Sequence, residues 1–287
     1  MLKINALLPQ DKLFQQRLNN VEKTIKKLYY LGQLFDPDRP VVAIVGSRKP
    51  SAYGQEATYT LAYELAARGV VIVSGLALGA DAIAHTAALD AGGTTVAVLP
   101  ASLSTIYPAS NRGLATRIIR NGGMLLSEYV EPVPPRKYQF LERNRIIAGI
   151  CDGVLITEAT QKSGTLSTAR FAIDQGRCIM AIPGQITNSL SEGCHSLVRS
   201  GAALVRSYKD VLEEINYIEP QSQLSLPLAE TAHEATLIAL LQQGVSDAEL
   251  LAASANIPIE EFQEAMTALE LRGRIRPLGN NRWMIRG

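Results

Sequence analysis

The sequence predicts an α/β fold: a mostly parallel sheet with helices on both faces, followed by a small second domain. Three observations carry that expectation. Apolar runs rich in valine and isoleucine (Val41–Val45, Val70–Val73, Thr95–Leu99, Gly153–Thr157, Cys178–Ile182) recur along the chain, as strands buried on both faces do. Helically spaced stretches lie between them, and alternation on this scale builds parallel strands. From residue 217 the alternation stops, and a polar stretch with two prolines leads into a different pattern.

Residues 1–40 read as an N-terminal helical flap. Leu13, Phe14, Leu18, Val21, Ile25, Leu28 and Tyr29 recur at helical spacing, and Pro37 and Pro40 then break the chain. Residues 41–216 form the expected Rossmann-like domain. After Val41–Val45 a helix is expected from about Gln55 to Arg68, closed by Gly69. Further helices are expected to end near Leu89 and to cover Asn111–Asn121, Thr165–Gln175, Ser191–Ser200 and Asp210–Ile215. A strand at Met124–Leu126 follows Gly122-Gly123. Residues 217–228 are a linker. Residues 229–287 read as a winged-helix domain, with helices at Ala232–Gln243, Ser246–Ser254 and Pro258–Arg272 and a hairpin of Ile275–Leu278 with Trp283–Ile285.

Composition narrows the function. With 287 residues, 47% hydrophobic and 19% charged, the chain has length for a full core and is not disordered as a whole. A net charge of +1 means that any basic surface is a local patch. No apolar run is long enough to span a membrane, and the N-terminus lacks the core of a signal peptide. Cys151, Cys178 and Cys194 show no CxxC spacing, and the three histidines show no ligand pattern. The expectation is a cytoplasmic protein without disulfides, metal or cofactor.

Three stretches carry candidate chemistry. Gly46-Ser47-Arg48 ends the first strand before a helix, which leaves backbone N–H groups beside a hydroxyl and a guanidinium, the makings of an anion site. The anion is a nucleotide phosphate or a nucleic-acid backbone. Arg136 to Arg145 interleaves cations with Tyr138 and Phe140, which suits a strand whose phosphates need charge and whose bases need stacking. Gln161-Lys162-Ser163-Gly164-Thr165 opens a helix and makes a second phosphate cradle. The loop Ser74–Ala80 holds neither GxGxxG nor a Walker lysine, so dinucleotide and P-loop chemistry are disfavoured. No serine or cysteine sits in a nucleophile pattern. Glu158, with Asp81 and Glu128 behind it, is the acid that a nucleoside-phosphate phosphoribohydrolase would use. The last helix carries Glu260, Glu261, Glu264 and Glu270 ahead of Arg272, which phosphates would repel, so the small domain reads as a protein-contact module.

Assembled, these residues resemble the DprA (Smf) family of DNA-processing proteins. The segments VAIVGSRKPSAYG, VSGLALGADAIAH, TIYPASN, GGMLLSE, FLERNRIIAGICDGVLITEA, SGTLSTAR and IPGQ carry the likeness from Val41 to about Val205. The resemblance implies a homodimeric, non-enzymatic protein that binds single-stranded DNA without sequence preference, protects it and brings the RecA recombinase onto it. It implies Gly46, Ser47, Arg48 and Lys137 as phosphate binders, Phe140 as the stacking ring, and Arg143 and Asn144 as strand contacts. Ser163, Gly164 and Thr165 fall on the same rim. Leu78, where an arginine is common, Pro100-Ala101-Ser102, where a glycine-rich turn is usual, and His195, where asparagine is expected, depart from the family pattern.

Overall fold

Val41–Val45, strand β3, lies in the middle of a nine-stranded sheet with all five residues buried. The computed structural model describes residues 3–19, 21, 24–130, 132, 134–218, 231–242, 245–272, 274–279 and 281–285. Two compact units are present, Met1–Ile218 and Glu219–Gly287.

In the first unit the strands are β1 (Asn5–Leu7), β2 (Leu28–Gly32), β3, β4 (Val71–Ser74), β5 (Thr95–Leu99), β6 (Met124–Ser127), β7 (Gly153–Ile156), β8 (Cys178–Ala181) and β9 (Ala203–Leu204). The helices are α1 (Lys12–Arg17), α2 (Ala52–Ala67), α3 (Ala80–Asp90), α4 (Arg112–Arg120), α5 (Lys137–Ile150), α6 (Thr165–Asp174), α7 (Glu192–Arg199) and α8 (Tyr208–Glu214). The sheet order is β1-β2-β6-β5-β4-β3-β7-β8-β9. Strands β3 to β9 run parallel, and β1 and β2 add an antiparallel edge beside β6.

Alternation along β3 divides the core. Val41, Ala43 and Val45 pack with Ile146, Ile147, Ala169, Ala172 and Cys194 from α5, α6 and α7. Val42 and Ile44 pack with Leu61 and Leu65 of α2, Ala84 and Ala88 of α3, and Val211 of α8. Each fully buried valine or isoleucine stabilises the fold by roughly 1.5–3 kcal/mol, which is why so uniformly apolar a strand is central. The chain leaves β3 towards β4, β5 and β6, and returns to β7 on the other side of β3. The loops after β3 and β7 therefore part, and a crevice opens at the carboxyl ends of these strands.

The N-terminal expectation is corrected. Residues 1–40 are not a helical flap: helix forms only over Lys12–Arg17, while Asn5–Leu7 and Leu28–Gly32 are strands of the main sheet. The physical reason lies in Leu28-Tyr29-Tyr30-Leu31, aromatic and branched residues that fit a pleated surface, which cover the open side of β6. Arg17 binds Asp152 and donates to the Pro37 carbonyl at 2.9 Å, while Asp152 accepts from Val41 N–H at 2.8 Å. These bonds tie the segment into the start of β3. Leu13, Phe14, Leu18, Val21 and Ile25 are buried as the pattern requires, only in mixed structure.

Other boundaries move by a few residues. Helix α2 starts at Ala52 instead of Gln55, because the Ser51 hydroxyl accepts from Gly54 N–H at 3.1 Å and caps it. Strand β9, two residues long, went unpredicted. The linker expected over 217–228 lies, beyond Ile218, outside the described residues.

The second unit holds α9 (Ala232–Gln242), α10 (Ala248–Ala255), α11 (Ile259–Leu271) and an antiparallel pair, β10 (Ile275–Gly279) with β11 (Arg282–Ile285). Leu237, Ile238, Leu251, Phe262, Met266 and Leu269 form its own small core. Asp247 caps α10 through Glu249 and Leu250 N–H, and Arg272 bridges to Glu234 at 3.0 Å. Glu260, Glu261 and Glu264 stand exposed on α11.

Candidate functional site

The crevice beside β3 and β7 is a cleft of about 490 Å³. Its floor begins at Gly46, where a Cβ would lie 2.4 Å from the Thr157 hydroxyl and 2.8 Å from the Ala80 Cβ. Only glycine fits that approach. The Gly46 carbonyl accepts from the Thr165 hydroxyl at 3.0 Å, and the Ser47 carbonyl accepts from Ala80 N–H at 3.0 Å. The turn Gly46-Ser47-Arg48 is thus braced between the N-termini of α6 and α3. Arg48 projects from it, exposed.

The second wall is α5. Its first turn is fixed by Gln139, buried, whose side-chain carbonyl accepts from Arg136 N–H at 2.5 Å. Lys137, Phe140 and Asn144 follow at helical spacing and all line the cleft. Lys137 is exposed and Phe140 half-buried. The Arg48 guanidinium carbon lies 5.4 Å from the centroid of the Phe140 ring, within cation–π range. Tyr107 meets the same ring edge-to-face at 5.7 Å.

The cations of Arg136–Arg145 divide by role, which revises the reading of Arg143 as a strand contact. Arg143 is buried in the cleft floor, with Nη1 donating to the Gly75 and Val98 carbonyls at 2.5 Å each and Nε donating to Asn144 at 3.1 Å. Burial lowers its pKa to about 10, and neighbouring Asp81 pulls the other way. Asp81 is itself buried and accepts from Gly75 and Ala77 N–H at 3.1 and 3.2 Å. Burial raises its pKa, against the pull of Arg143. The pair therefore works as a clamp on the loop after β4. Arg145 is likewise committed, to Glu128 at 2.6 and 2.7 Å. A ten-residue stretch cannot tell an inward arginine from an outward one until the phase of α5, which starts at Lys137, is known.

The third wall is the start of α6. The Ser163 hydroxyl accepts from Thr165 N–H at 3.2 Å, and Gly164 stands at the helix entrance with open space where a Cβ would go. Asn144 donates to the Ser167 hydroxyl at 2.9 Å, joining α5 to α6. The structure thus brings together all ten residues expected to contact DNA: Gly46, Ser47, Arg48, Lys137, Phe140, Arg143, Asn144, Ser163, Gly164 and Thr165. Thr160, Thr168 and Leu141 also line the cleft and carried no signal. Arg48, Lys137 and Arg143 face a single acid, Asp81, among the described lining residues.

Glu158 stands elsewhere. It is buried, with one carboxylate oxygen accepting from Ser51 N–H at 2.9 Å and the other from the Ser51 hydroxyl at 2.5 Å. It steadies the entrance of α2, and is absent from the described lining of the cleft. His85 is buried beneath α3, its Nδ1 2.7 Å from the Thr95 hydroxyl.

Known proteins agree with this architecture. The family described as DNA recombination-mediator protein A matches residues 5–216. The chain is 39% identical to protein Smf of Escherichia coli, over 86% of this chain and 68% of that protein. It is 45% identical to the DNA processing protein DprA of Streptococcus pneumoniae, over 72% of this chain and 73% of that protein. The crystal structure of the Streptococcus pneumoniae protein superposes with a TM-score of 0.69 and 41% identity, covering 74% of each chain. A structure of DNA processing protein A from Helicobacter pylori, described for its single-stranded DNA binding mode, gives 0.67 and 35% identity over 76% of this chain and 98% of that one. A family match that begins at residue 5, inside β1, takes in the antiparallel edge together with the parallel sheet and its cleft, and the chain belongs to the DNA recombination-mediator protein A (DprA/Smf) family.

Proposed function

We propose that this protein binds single-stranded DNA without sequence preference in the cleft beside β3 and β7. On this reading it acts without catalysis, as a cytoplasmic homodimer that protects DNA and brings the RecA recombinase onto it during natural transformation and homologous recombination. One observation carries the strand-binding reading: Arg48 and Lys137 stand beside the Phe140 ring in one cleft. Cations meet the phosphates that every strand carries, and a ring face accepts any base. The related Helicobacter pylori protein, described for its single-stranded DNA binding mode, supports the reading.

The non-catalytic part rests on Glu158, whose two oxygens are occupied by Ser51. A general base needs a lone pair within reach of substrate. The RecA and dimer parts rest on family membership. The winged-helix reading of the second unit rests on its three helices and hairpin, and the exposed acids of α11 favour a protein contact over phosphate.

Fluorescence anisotropy of labelled oligo-dT against a duplex of equal length, over a salt series, tests the binding. Strong, salt-sensitive preference for the single strand, lost in Arg48→Ala, is the expected result. Weak binding indifferent to Arg48 would reject it, and release of free nucleobase from nucleoside phosphates would point to the enzyme instead.

A further inference from the structure

Beside the main cleft opens a small recess of about 50 Å³ that shares Arg48, Ala77 and Phe140 with it. The rest of its lining is Gly75, Leu78, Pro100, Tyr107 and Pro108. Leu78 is 49% exposed and Tyr107 45%. Two large apolar side chains left this open at the edge of a cationic cleft mark a contact surface.

The surface is held in place. Asn111 donates from Nδ2 to the Leu76 carbonyl at 2.9 Å and the Ala77 carbonyl at 3.2 Å, which binds the loop after β5 to the loop after β4. Leu76 takes φ +58, a left-handed conformation unfavourable for leucine, and its side chain is fully buried. Backbone strain of this kind persists where surrounding contacts enforce it, and it clusters at binding sites. Leu78 and Tyr107 are therefore presented by two tied loops.

The Tyr107 and Phe140 rings stand 76° apart with centroids at 5.7 Å. Bases stacked on the two rings cannot be parallel to each other. Neighbouring bases of a duplex are parallel, so both rings are engaged only by a strand whose bases have come apart. At about 50 Å³ the recess is about a tenth of the cleft beside it. It takes the edge of a base, not a whole one. Arg48 carries the only charge among the described residues of this lining.

We infer that Leu78 and Tyr107 form a second base platform, which holds the neighbour of the base on Phe140 splayed away from it and so selects single strands. This rests on the strand-binding reading above. The test measures affinities of the wild type, Tyr107→Ala, Tyr107→Phe and Arg48→Ala for oligo-dT and for an abasic strand of equal length. Tyr107→Ala is expected to weaken oligo-dT about tenfold, the scale of losing one stacked base, and to leave the abasic strand unchanged. Tyr107→Phe keeps the ring and binds oligo-dT as the wild type does. The platform is overturned if Tyr107→Ala binds oligo-dT normally, or loses the same factor on both strands. Arg48→Ala separates the two ideas: it weakens both strands if the cleft holds phosphate. A wild type that binds neither strand overturns the underlying reading, and the platform with it.

Discussion

Arg48, in the loop after β3, and Phe140, on α5, stand 92 residues apart in numbering, yet the guanidinium of one lies over the ring of the other at 5.4 Å. The cation proposed for phosphate and the ring proposed for a base are thus already in contact with each other. An exposed cation–π pair stabilises by about 0.5–1 kcal/mol, so a phosphate can draw Arg48 off the ring at small cost. A double-mutant cycle of Arg48→Ala and Phe140→Ala on oligo-dT affinity should show coupling of at least about 0.5 kcal/mol. Phe140→Ala alone should cost roughly 1–3 kcal/mol. Strict additivity would mean that the two side chains act separately.

Lys137 is exposed at the head of α5 and acts as a point charge. Replacing it with alanine should lower affinity for all sequences alike and flatten the plot of log affinity against log salt by about 0.7, the share of one phosphate on a single strand. Its thermal stability should stay within about 0.5 kcal/mol of wild type, as for other exposed positions. An unchanged salt slope would remove Lys137 from the interface.

Arg143 should behave in the opposite way. Arg143→Ala leaves the Gly75 and Val98 carbonyls short of a donor and Asp81 without its counter-charge. Leaving a buried acceptor without its donor costs roughly 1–3 kcal/mol. Urea unfolding should register that loss, and a variant as stable as wild type would make Arg143 a ligand contact after all.

His85 gives the fold a pH dependence. Burial lowers its pKa to about 3 from an ordinary 6.5. The Thr95 hydroxyl donates to the Ile72 carbonyl at 2.7 Å, so it accepts from His85 Nδ1–H, and the ring stays neutral with Nε2 unpartnered among the described residues. The unfolded chain takes up a proton below 6.5 that the folded one refuses. Stability from this group is full above pH 6.5 and is lost as pH falls towards 3. Asp81, raised by burial, acts with the opposite sign at the acid end. The wild type should therefore lose more stability between pH 7 and pH 5 than His85→Phe, as followed by urea midpoints. Equal losses would show that His85 does not titrate in the unfolding equilibrium.

The parallel sheet was legible because β3, β4, β5, β7 and β8 are apolar on both faces, and few other structures make that pattern. The N-terminal strands were not, since Leu13 to Tyr29 satisfies a helical spacing while Leu28 to Leu31 meets its hydrogen-bonding partner nearly a hundred residues later in β6. Local pattern cannot weigh a partner so distant. Gly46, Ser47, Arg48, Lys137 and Phe140, singled out by residue type, do come together in one cleft. The burial of Arg143 was not legible, because charge in a sequence does not say whether it faces solvent or the Val98 carbonyl. Tyr107, noted only within the segment TIYPASN, was given no role there: its ring becomes informative only beside Phe140.

The bond from Thr165 to Gly46 closes a span of 119 residues. A nascent chain that includes β3 still lacks the wall of the cleft that the entrance of α6 supplies. Loop closure over that distance comes late in folding. Truncated products that end before residue 165 carry Arg48 and Phe140 without the third wall. Any affinity that depends on all three walls is therefore expected only of chains that extend through α6.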